Sequence, residues 1–269
     1  MDVEYEVRNN AAVVSLNRDA KLNAFTHPMI AAIRAAVEKA EKDPAVVGIV
    51  VTGIGRAFSS GLDIGTLGAT VTDASGGTHD ASPPTGELPA LFSFLLKISK
   101  PVIAAVNGVA AGGGFVLAMM CDLRFVSEKA TFTTVFSKRG LIAEHATSWI
   151  LPRMIGTSRA LDLLWSSVRI DAQEAYRIGL ADRLFASDAL LDETIAYIDR
   201  LAENVSRRSL ATIKSEVYRH LSMPLAEAAW DANAVMRKAL AHADAQEGVA
   251  SFVERRPPRF ARWTGDTDG

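Results

Sequence analysis

Apolar and polar residues alternate along the first part of the chain, VEYEVRNNAAVVSLNR (3–18), on both sides of Asn9 and Asn10. Alternation with a period of two is typical of strands, and an Asn pair tolerates the positive φ angles of a tight turn. This pattern predicts a β-hairpin. Apolar residues then recur at helical spacing over residues 29–43, after Thr26 and before Pro44, which predicts an amphipathic helix.

Three later runs are almost continuously apolar and rich in β-branched residues: residues 46–53, 101–108 and 123–127. Short runs of this kind, bounded by turn residues, suit strands that are buried on both faces. Because such strands alternate with helical segments up to residue 185, the pattern predicts an α/β layer architecture.

From Asp188 onward the pattern is purely helical, with breaks near Ser206, Met223–Pro224 and His242. A chain of 269 residues allows one large core with a smaller appended element. We therefore expect a core over residues 1–190 and a helical oligomerisation region over residues 191–269.

The segment between Thr66 and Leu88 is rich in Gly, Ser, Thr and Pro and poor in large apolar residues. Such a composition predicts a long loop. Two interpretations stay open, a lid over a pocket and a tolerated insertion.

Composition and charge exclude several classes of function. Hydrophobic residues make up 49% of the chain and charged residues 22%, which is ordinary for a globular protein. The net charge of −2 gives no basic footprint for nucleic acid, so we expect no nucleic-acid partner. No apolar run reaches the roughly 18 residues that a membrane span needs, so we expect no membrane partner.

The amino terminus and the cysteine content favour the cytoplasm. The first residues are acidic and polar, so no secretory signal is visible. Cys121 is the single cysteine, which excludes an internal disulfide and any multi-cysteine metal site. We expect no metal and a cytoplasmic location.

Two of the predicted strands end in glycine-containing turns, in VVTGIGRAFSSGLDI (50–64) and AAVNGVAAGGGFVLAMMCD (104–122). In α/β folds, ligands bind at the carboxyl ends of strands. Gly112, Gly113 and Gly114 would begin an apolar helix whose free N–H groups favour negative charge. These turns match neither a P-loop nor a dinucleotide fingerprint, so an anion or a developing oxyanion is the expected occupant.

Four segments, in order and spacing, resemble the crotonase superfamily, which is the enoyl-CoA hydratase/isomerase family. They are GRAFSSGLDI (55–64), KPVIAAVNGVAAGGGFVLAMMCDLRF (100–125), RIDAQEAYRIGLADRL (169–184) and EGVASFVERRPPRF (247–260). The resemblance implies a crotonase-like ββα spiral core with a C-terminal helical trimerisation extension, assembled as a homotrimer or a dimer of trimers. It also implies an acyl-CoA thioester substrate, with no cofactor besides the coenzyme A that the substrate carries.

The resemblance further implies an oxyanion hole made by two backbone N–H groups, at Ser60 and Gly113. Preorganised N–H donors of this kind stabilise a thioester oxygen as it becomes an enolate. In the family's hydratases two glutamates handle water, and the matching positions here are Val116 and Phe136. Residues 129–139 contain no carboxylate, so both hydratase acids are missing.

Glu144 is the alternative acid, in a turn that leads into an amphipathic helix. The segment resembles that of enoyl-CoA isomerases in which one acid at this place acts as the base. A single carboxylate suits a 1,3-proton shift, because it can remove a proton at C2 and return it at C4. The plainer interpretation is that Glu144 caps the helix.

Two further functions stay open at this stage: hydration or other thioester chemistry in which Glu144 handles water, and non-catalytic binding of acyl-CoA. Arg56 could pair with a CoA phosphate or stay solvated, His145 could bind Glu144 or the substrate, and Asp63 mainly shapes the loop. The full set of predicted substrate-binding residues is Arg56, Ala57, Leu62, Asp63, Ile64, Gly112, His145 and Trp149.

Overall fold

The computed structural model describes residues 1–63, 65 and 88–262 of the chain. Its first element is the predicted hairpin, in which β1 (Val3–Arg8) pairs antiparallel with β2 (Ala11–Leu16). Asn9 takes the left-handed conformation at φ 52°. The side-chain amides of Asn9 and Asn10 both donate hydrogen bonds of 2.9 Å to the carboxylate of Asp199. The hairpin prediction is confirmed.

The predicted crossover helix, α1 (His27–Lys42), begins after Thr26, whose hydroxyl oxygen accepts the Met29 N–H at 3.3 Å. It ends before Pro44, as the sequence indicated. The buried residues Met29, Ile33, Val37 and Ala40 share one face of α1, which packs into the core.

Among the described residues, eight further strands complete two sheets, with mostly parallel pairing. The larger sheet has the order β1-β2-β3-β5-β7-β10, and the smaller has the order β4-β6-β8-β9. In these two sheets β1 pairs with β2 and β8 with β9 in antiparallel fashion, and the other pairs are parallel. The bounds are β3 (Gly48–Gly53), β4 (Ala57–Ser59), β5 (Val102–Val106), β6 (Val109–Ala111), β7 (Leu123–Ser127), β8 (Thr131–Thr133), β9 (Ile170–Asp171) and β10 (Arg183–Phe185).

Helices alternate with these strands and then continue alone to the end of the described chain, so the α/β prediction is confirmed. Short 3-10 helices join elements at Asp19–Lys21, Ser93–Lys97 and Ser137–Arg139. The remaining helices of the described residues are α2 (Gly113–Met120), α3 (Thr147–Ile155), α4 (Thr157–Ser166), α5 (Ala172–Arg177), α6 (Leu190–Asn204), α7 (Arg207–His220), α8 (Leu225–Leu240) and α9 (Ala243–Glu254).

The breaks predicted among the last helices are confirmed. Ser206, Pro224 and His242 stand immediately before α7, α8 and α9. Helix α6 packs against one face of the larger sheet through Leu190, Ile195 and Ile198. The division of the chain at residue 190 stays a prediction.

Helix α7 is tied to the sheet by the carboxylate of Asp122, which follows α2. Asp122 accepts the Val102 N–H at 2.7 Å, the Lys214 ammonium at 2.6 Å and the Tyr218 hydroxyl at 2.8 Å. Burial and the neighbouring Asp122 raise the pKa of Tyr218, so its hydroxyl stays a donor.

Within the described ranges, no helix combines the length and the apolar character that a bilayer crossing requires. The predicted loop from Thr66 lies outside the described residues except for its last position, Leu88.

Candidate active site

The first glycine turn leaves the smaller sheet at Ser59 and runs beside the start of α2. Gly61 has φ 95°, and its carbonyl oxygen accepts the Phe25 N–H at 2.7 Å. A Cβ at Gly61 would lie 2.8 Å from the Ala111 oxygen and 2.9 Å from the Gly113 nitrogen. Because real Cβ atoms do not approach so closely, glycine at this position allows the two turns to meet.

Two backbone N–H groups come together where these turns meet. A Cβ on Gly113 would lie 3.5 Å from the Leu62 nitrogen, so the two amides are neighbours. In the part of the chain that the structure describes, no hydrogen bond uses the N–H of Leu62 or of Gly113. Gly113 also begins α2, so its N–H lies at the positive end of the helix dipole. This pair is suited to an oxyanion.

The structure corrects the prediction for Ser60. Its N–H donates to the Leu22 carbonyl oxygen at 2.9 Å, and an N–H carries one hydrogen. Its hydroxyl is directed at the Lys21 carbonyl oxygen, 3.5 Å away. Leu62, two residues further on, takes the place of Ser60 as the candidate donor.

A small cavity of about 20 Å³ connects these amides with Glu144. The Glu144 side chain is 30% exposed, so it is partly shielded from solvent. The cavity is lined by Ser60, Gly61, Leu62, Gly112, Gly113, Val135, Phe136, Arg139, Leu141 and Glu144. The predicted acid and the amide pair therefore face the same space.

A turn at the start of α3 holds Glu144 in place. The Glu144 carbonyl oxygen accepts the Thr147 N–H at 3.0 Å and the Thr147 hydroxyl at 2.7 Å. His145 and Ala146 both have left-handed φ angles, 52° and 61°. Ala146 is the N-cap of α3, and no side chain caps this helix, so the Glu144 carboxylate is not a capping group.

The two positions that match the hydratase acids are apolar and buried. Val116 is 0% exposed in α2, and Phe136 is 3% exposed. Phe136 lines the small cavity, where its ring presents no proton-transfer group. The structure therefore places Glu144 at this cavity without a second carboxylate among the described lining residues.

A second cavity, of about 730 Å³, is lined in part by His145, the residue that follows Glu144. His145 and Trp149 lie on its wall, and the Arg153 guanidinium stacks on Trp149 at 4.0 Å from the ring centroid. The wall includes Leu88, Pro89, Ala90, Ser93, Leu96, Lys97, Met120, His145, Ala146, Trp149, Ile150, Tyr218, Arg219 and Ser222. The sequence did not indicate the contribution of α7, because Tyr218 and Arg219 follow Trp149 by about seventy positions without a shared motif.

The remaining predicted residues lie around the first glycine turn. Arg56 is exposed, and Ala57 is fully buried in β4 away from both cavities. Asp63 accepts the Gly65 N–H at 3.1 Å and lies 3.5 Å from the Arg18 guanidinium, which supports a role in shaping the loop. Ile64 lies outside the described residues.

One group of acids and a histidine in the helical region has ligand atoms close enough for a metal. The ligand atoms of Glu216, His220 and Asp231 lie within 4.8 Å of one another. Hydrogen bonds from His220 and from Arg219 lower the pKa of Asp231. Because the Arg219 cation already pairs with this carboxylate, the group is better explained as an ion-pair network.

The family described as Enoyl-CoA hydratase/isomerase matches residues 6–263 of the chain. The chain belongs to this enoyl-CoA hydratase/isomerase family. Among curated relatives of this family, it is 35% identical to a probable enoyl-CoA hydratase of Mycobacterium leprae, over 92% of this chain and 93% of the relative. It is 34% identical to the mitochondrial enoyl-CoA hydratase of Pongo abelii, over 94% and 84% of the two chains.

Solved structures of the enoyl-CoA hydratase/isomerase family have the same fold. A probable enoyl-CoA hydratase/isomerase from Mycobacterium abscessus superposes with a TM-score of 0.81 at 31% identity, covering 97% of this chain and 99% of that one. An enoyl-CoA hydratase subunit from Geobacillus kaustophilus superposes with a TM-score of 0.83 at 33% identity, covering 99% of each chain. The predicted family and the crotonase-like fold are confirmed.

Proposed function

We propose that this family member moves the double bond of a 3-enoyl-CoA thioester to the 2-position, with Glu144 as its only acid–base group. One observation supports this choice above the others. Glu144 shares the small cavity with the N–H groups of Leu62 and Gly113, and the positions of both hydratase acids are apolar. Membership of the family alone does not decide between its reactions.

The proposed reaction needs one proton carrier and one anion site. The Glu144 carboxylate removes a proton from C2, and the C–H electron pair moves into the bond between C2 and the thioester carbon. The thioester oxygen becomes an enolate oxygen that accepts hydrogen bonds from Leu62 N–H and Gly113 N–H. Glu144 then returns the proton at C4 as the enolate collapses, which leaves the double bond between C2 and C3. No cofactor besides the coenzyme A of the substrate takes part.

Hydration of a 2-enoyl thioester is the second candidate, because the relatives at 34–35% identity carry the name enoyl-CoA hydratase. Glu144 would then have to activate water and protonate C2 without a partner acid. A non-catalytic acyl-CoA binder is the third candidate, and it would keep both cavities while turning over no thioester.

The deciding experiment compares the wild type, Glu144→Gln and Asp63→Asn with 3-enoyl-CoA and 2-enoyl-CoA thioesters. We expect isomerisation of the 3-enoyl substrate, a loss of about 10²–10⁴ in kcat for Glu144→Gln, and a far smaller loss for the control acid at Asp63. Hydration of 2-enoyl-CoA that survives in Glu144→Gln would reject the assignment. Thermal stabilisation by acyl-CoA without turnover would favour the binder.

The proposal includes assembly into a homotrimer or a dimer of trimers. Large apolar side chains are exposed on the last helices of the described chain, which supports burial against other subunits. They include Leu225, Trp230, Met236, Leu240, Val249, Phe252 and Val253. Sedimentation equilibrium of the wild type, which we expect to give a multiple of three chains, tests the assembly.

A cytoplasmic location is also part of the proposal. Cys121 is free and buried, and burial raises the pKa of its thiol to about 12, so the thiol is unreactive. Several relatives are bacterial proteins without a stated organelle in their names, whereas others are named mitochondrial.

A further inference from the structure

His145 lies between the two cavities of the candidate active site. Its side chain forms part of the wall of the 730 Å³ cavity, whereas the side chain of the preceding residue, Glu144, lines the 20 Å³ cavity. His145 and Ala146 both have left-handed φ angles at this point of the chain. Non-glycine residues in this conformation cost about 1–3 kcal/mol each, and such strain concentrates at functional sites.

The hydrogen bond that the imidazole accepts indicates which nitrogen carries the proton. His145 Nδ1 accepts the Leu91 N–H at 3.4 Å. In a neutral imidazole one nitrogen accepts and the other donates, so the hydrogen is on Nε2. Nε2 lies 3.8 Å from Glu144 Oε2. The donor of the ring therefore faces the carboxylate of the proposed base.

The imidazole is neutral in this environment. Burial lowers the pKa of His145, and the nearby Glu144 opposes that effect. The other charged or titratable groups on the large cavity are Lys97, Tyr218 and Arg219, and Arg139 lines the small cavity beside Glu144. Since none of these is a carboxylate, Glu144 is the single acid facing the ring among the described cavity residues.

We infer that His145 is a positioning residue for Glu144, with its Nε2–H directed at Oε2 so that Oε1 is the atom that carries the proton between C2 and C4. This inference rests on the proposed function, because it assigns a role relative to Glu144 as the base. The inference requires the separation of 3.8 Å to shorten to hydrogen-bond length once substrate is bound, as catalytic hydrogen bonds often do. Through the Leu91 N–H that its Nδ1 accepts, His145 also links the base to a segment whose preceding residues, 88–90, line the large cavity.

The first test reads the tautomer without turnover. Two-dimensional ¹H–¹⁵N NMR of the wild type at neutral pH separates Nδ1–H from Nε2–H imidazoles, and loss of one signal set in His145→Asn assigns His145 among the five histidines. We expect an Nε2–H tautomer whose Nε2 shift changes in Glu144→Gln. An Nδ1–H tautomer, or an Nε2 shift that does not respond to Glu144→Gln, would overturn the inference.

The second test replaces His145 with two amide side chains, each of which retains the hydrogen-bonding group of one ring nitrogen. Asn places an acceptor near Nδ1 and removes the donor, whereas Gln places an N–H donor near Nε2. We expect His145→Asn to lower kcat roughly tenfold and to change KM less than twofold, because the carboxylate loses the donor that orients it while the substrate contacts remain. His145→Gln should recover most of the lost rate.

The controls separate this inference from the proposed function. If Glu144→Gln keeps its isomerase rate, the proposed function fails. If Glu144→Gln loses the rate and the Asn and Gln variants of His145 have the same kcat, only the role of His145 fails. In the Glu144→Gln background His145→Asn should cause no further loss, and an additional loss there would assign His145 to the substrate instead. Thermal unfolding of both variants identifies any loss that is due to folding, and the tautomer measurement on the wild type does not depend on it.

Discussion

The two halves of the candidate active site are held in place differently. The donor half consists of main-chain N–H groups, and glycines bring its turns together: a Cβ at Gly61 or Gly114 would lie within 3 Å of a backbone oxygen. The acid half consists of one side chain on a turn, where His145 and Ala146 have positive φ without being glycine. Close packing of two backbone turns fixes the first half, whereas hydrogen bonds from Thr147 to the Glu144 carbonyl oxygen hold the turn of the second.

The two halves also differ in the proposed chemistry: the donor half would serve a step that many thioester reactions share, and the acid half a step that differs between them. Any thioester reaction that passes through an enolate needs the donor half. In the proposed function the acid half decides where protons go, and it contains Glu144, whereas positions 116 and 136 are Val and Phe. Three substitutions test whether the halves are independent.

The largest effect is expected from Gly61→Ala, which should break the donor half alone. The new Cβ would approach the Ala111 oxygen and the Gly113 nitrogen within 3 Å, so the turns must separate and the amide pair must open. We expect a loss of about 10²–10³ in kcat for isomerisation.

Gly156→Ala is the matched control for this prediction. Gly156 also has a positive φ, 81°, but a Cβ there meets no atom within 4 Å. Both variants should lose some stability in urea unfolding, and only Gly61→Ala should lose kcat. An equal loss of kcat in both variants would show that strain rather than the donor pair is responsible.

A moderate effect is expected from Val116→Glu, which adds an acid at a position that the family resemblance assigns to a hydratase acid. Val116 is 0% exposed, so the carboxyl group meets an apolar core instead of water. We expect a loss of roughly 2–3 kcal/mol in the free energy of unfolding and no gain in hydration of 2-enoyl-CoA.

The pH dependence of Val116→Glu has a definite sign. Burial raises the pKa of the new carboxyl in the folded state above its unfolded value. The folded state then binds more protons, so stability relative to Val116→Leu should fall as the pH rises from about 5 to 8. Urea unfolding at both pH values measures this, and a constant difference would mean that the carboxyl reaches water.

The smallest effect is expected from Ala146→Gly in the acid half. Glycine adopts the left-handed conformation of residue 146 without steric cost, so we expect a gain of about 0.5–1 kcal/mol in stability. Ala143→Gly is the control, because residue 143 does not have a positive φ and glycine there should destabilise. Equal thermal shifts of the same sign would contradict the strain at Ala146.

Most elements could be predicted because their signals are local. The hairpin at Asn9–Asn10 and the helix after Thr26 follow from residue spacing and from turn and cap chemistry within a few positions. The glycine run before α2 was likewise readable as a helix start. The positive φ angles of His145 and Ala146 could not be predicted, because positive φ is uncommon for any residue other than glycine, and alanine has no preference for it.

The donor assignment failed because it depends on a distant contact. A motif shows that an N–H donor belongs in the turn, but it does not show which N–H is already bonded. The Leu22 carbonyl oxygen, 38 positions before Ser60 in the chain, takes the Ser60 N–H and leaves that of Leu62. The large cavity escaped prediction for the same reason, since it joins segments around Leu88, His145 and Tyr218.

The main-chain origin of the donor pair affects how this family can diverge. Replacing the Leu62 side chain leaves its N–H in place, so substitutions can accumulate there while the enolate site is inherited unchanged. Under the proposed function, a change of reaction would need a relocated carboxylate but no new anion site. A scan of side-chain substitutions would accordingly detect Glu144 and the glycines, and would overlook the two N–H groups of the proposed donor pair.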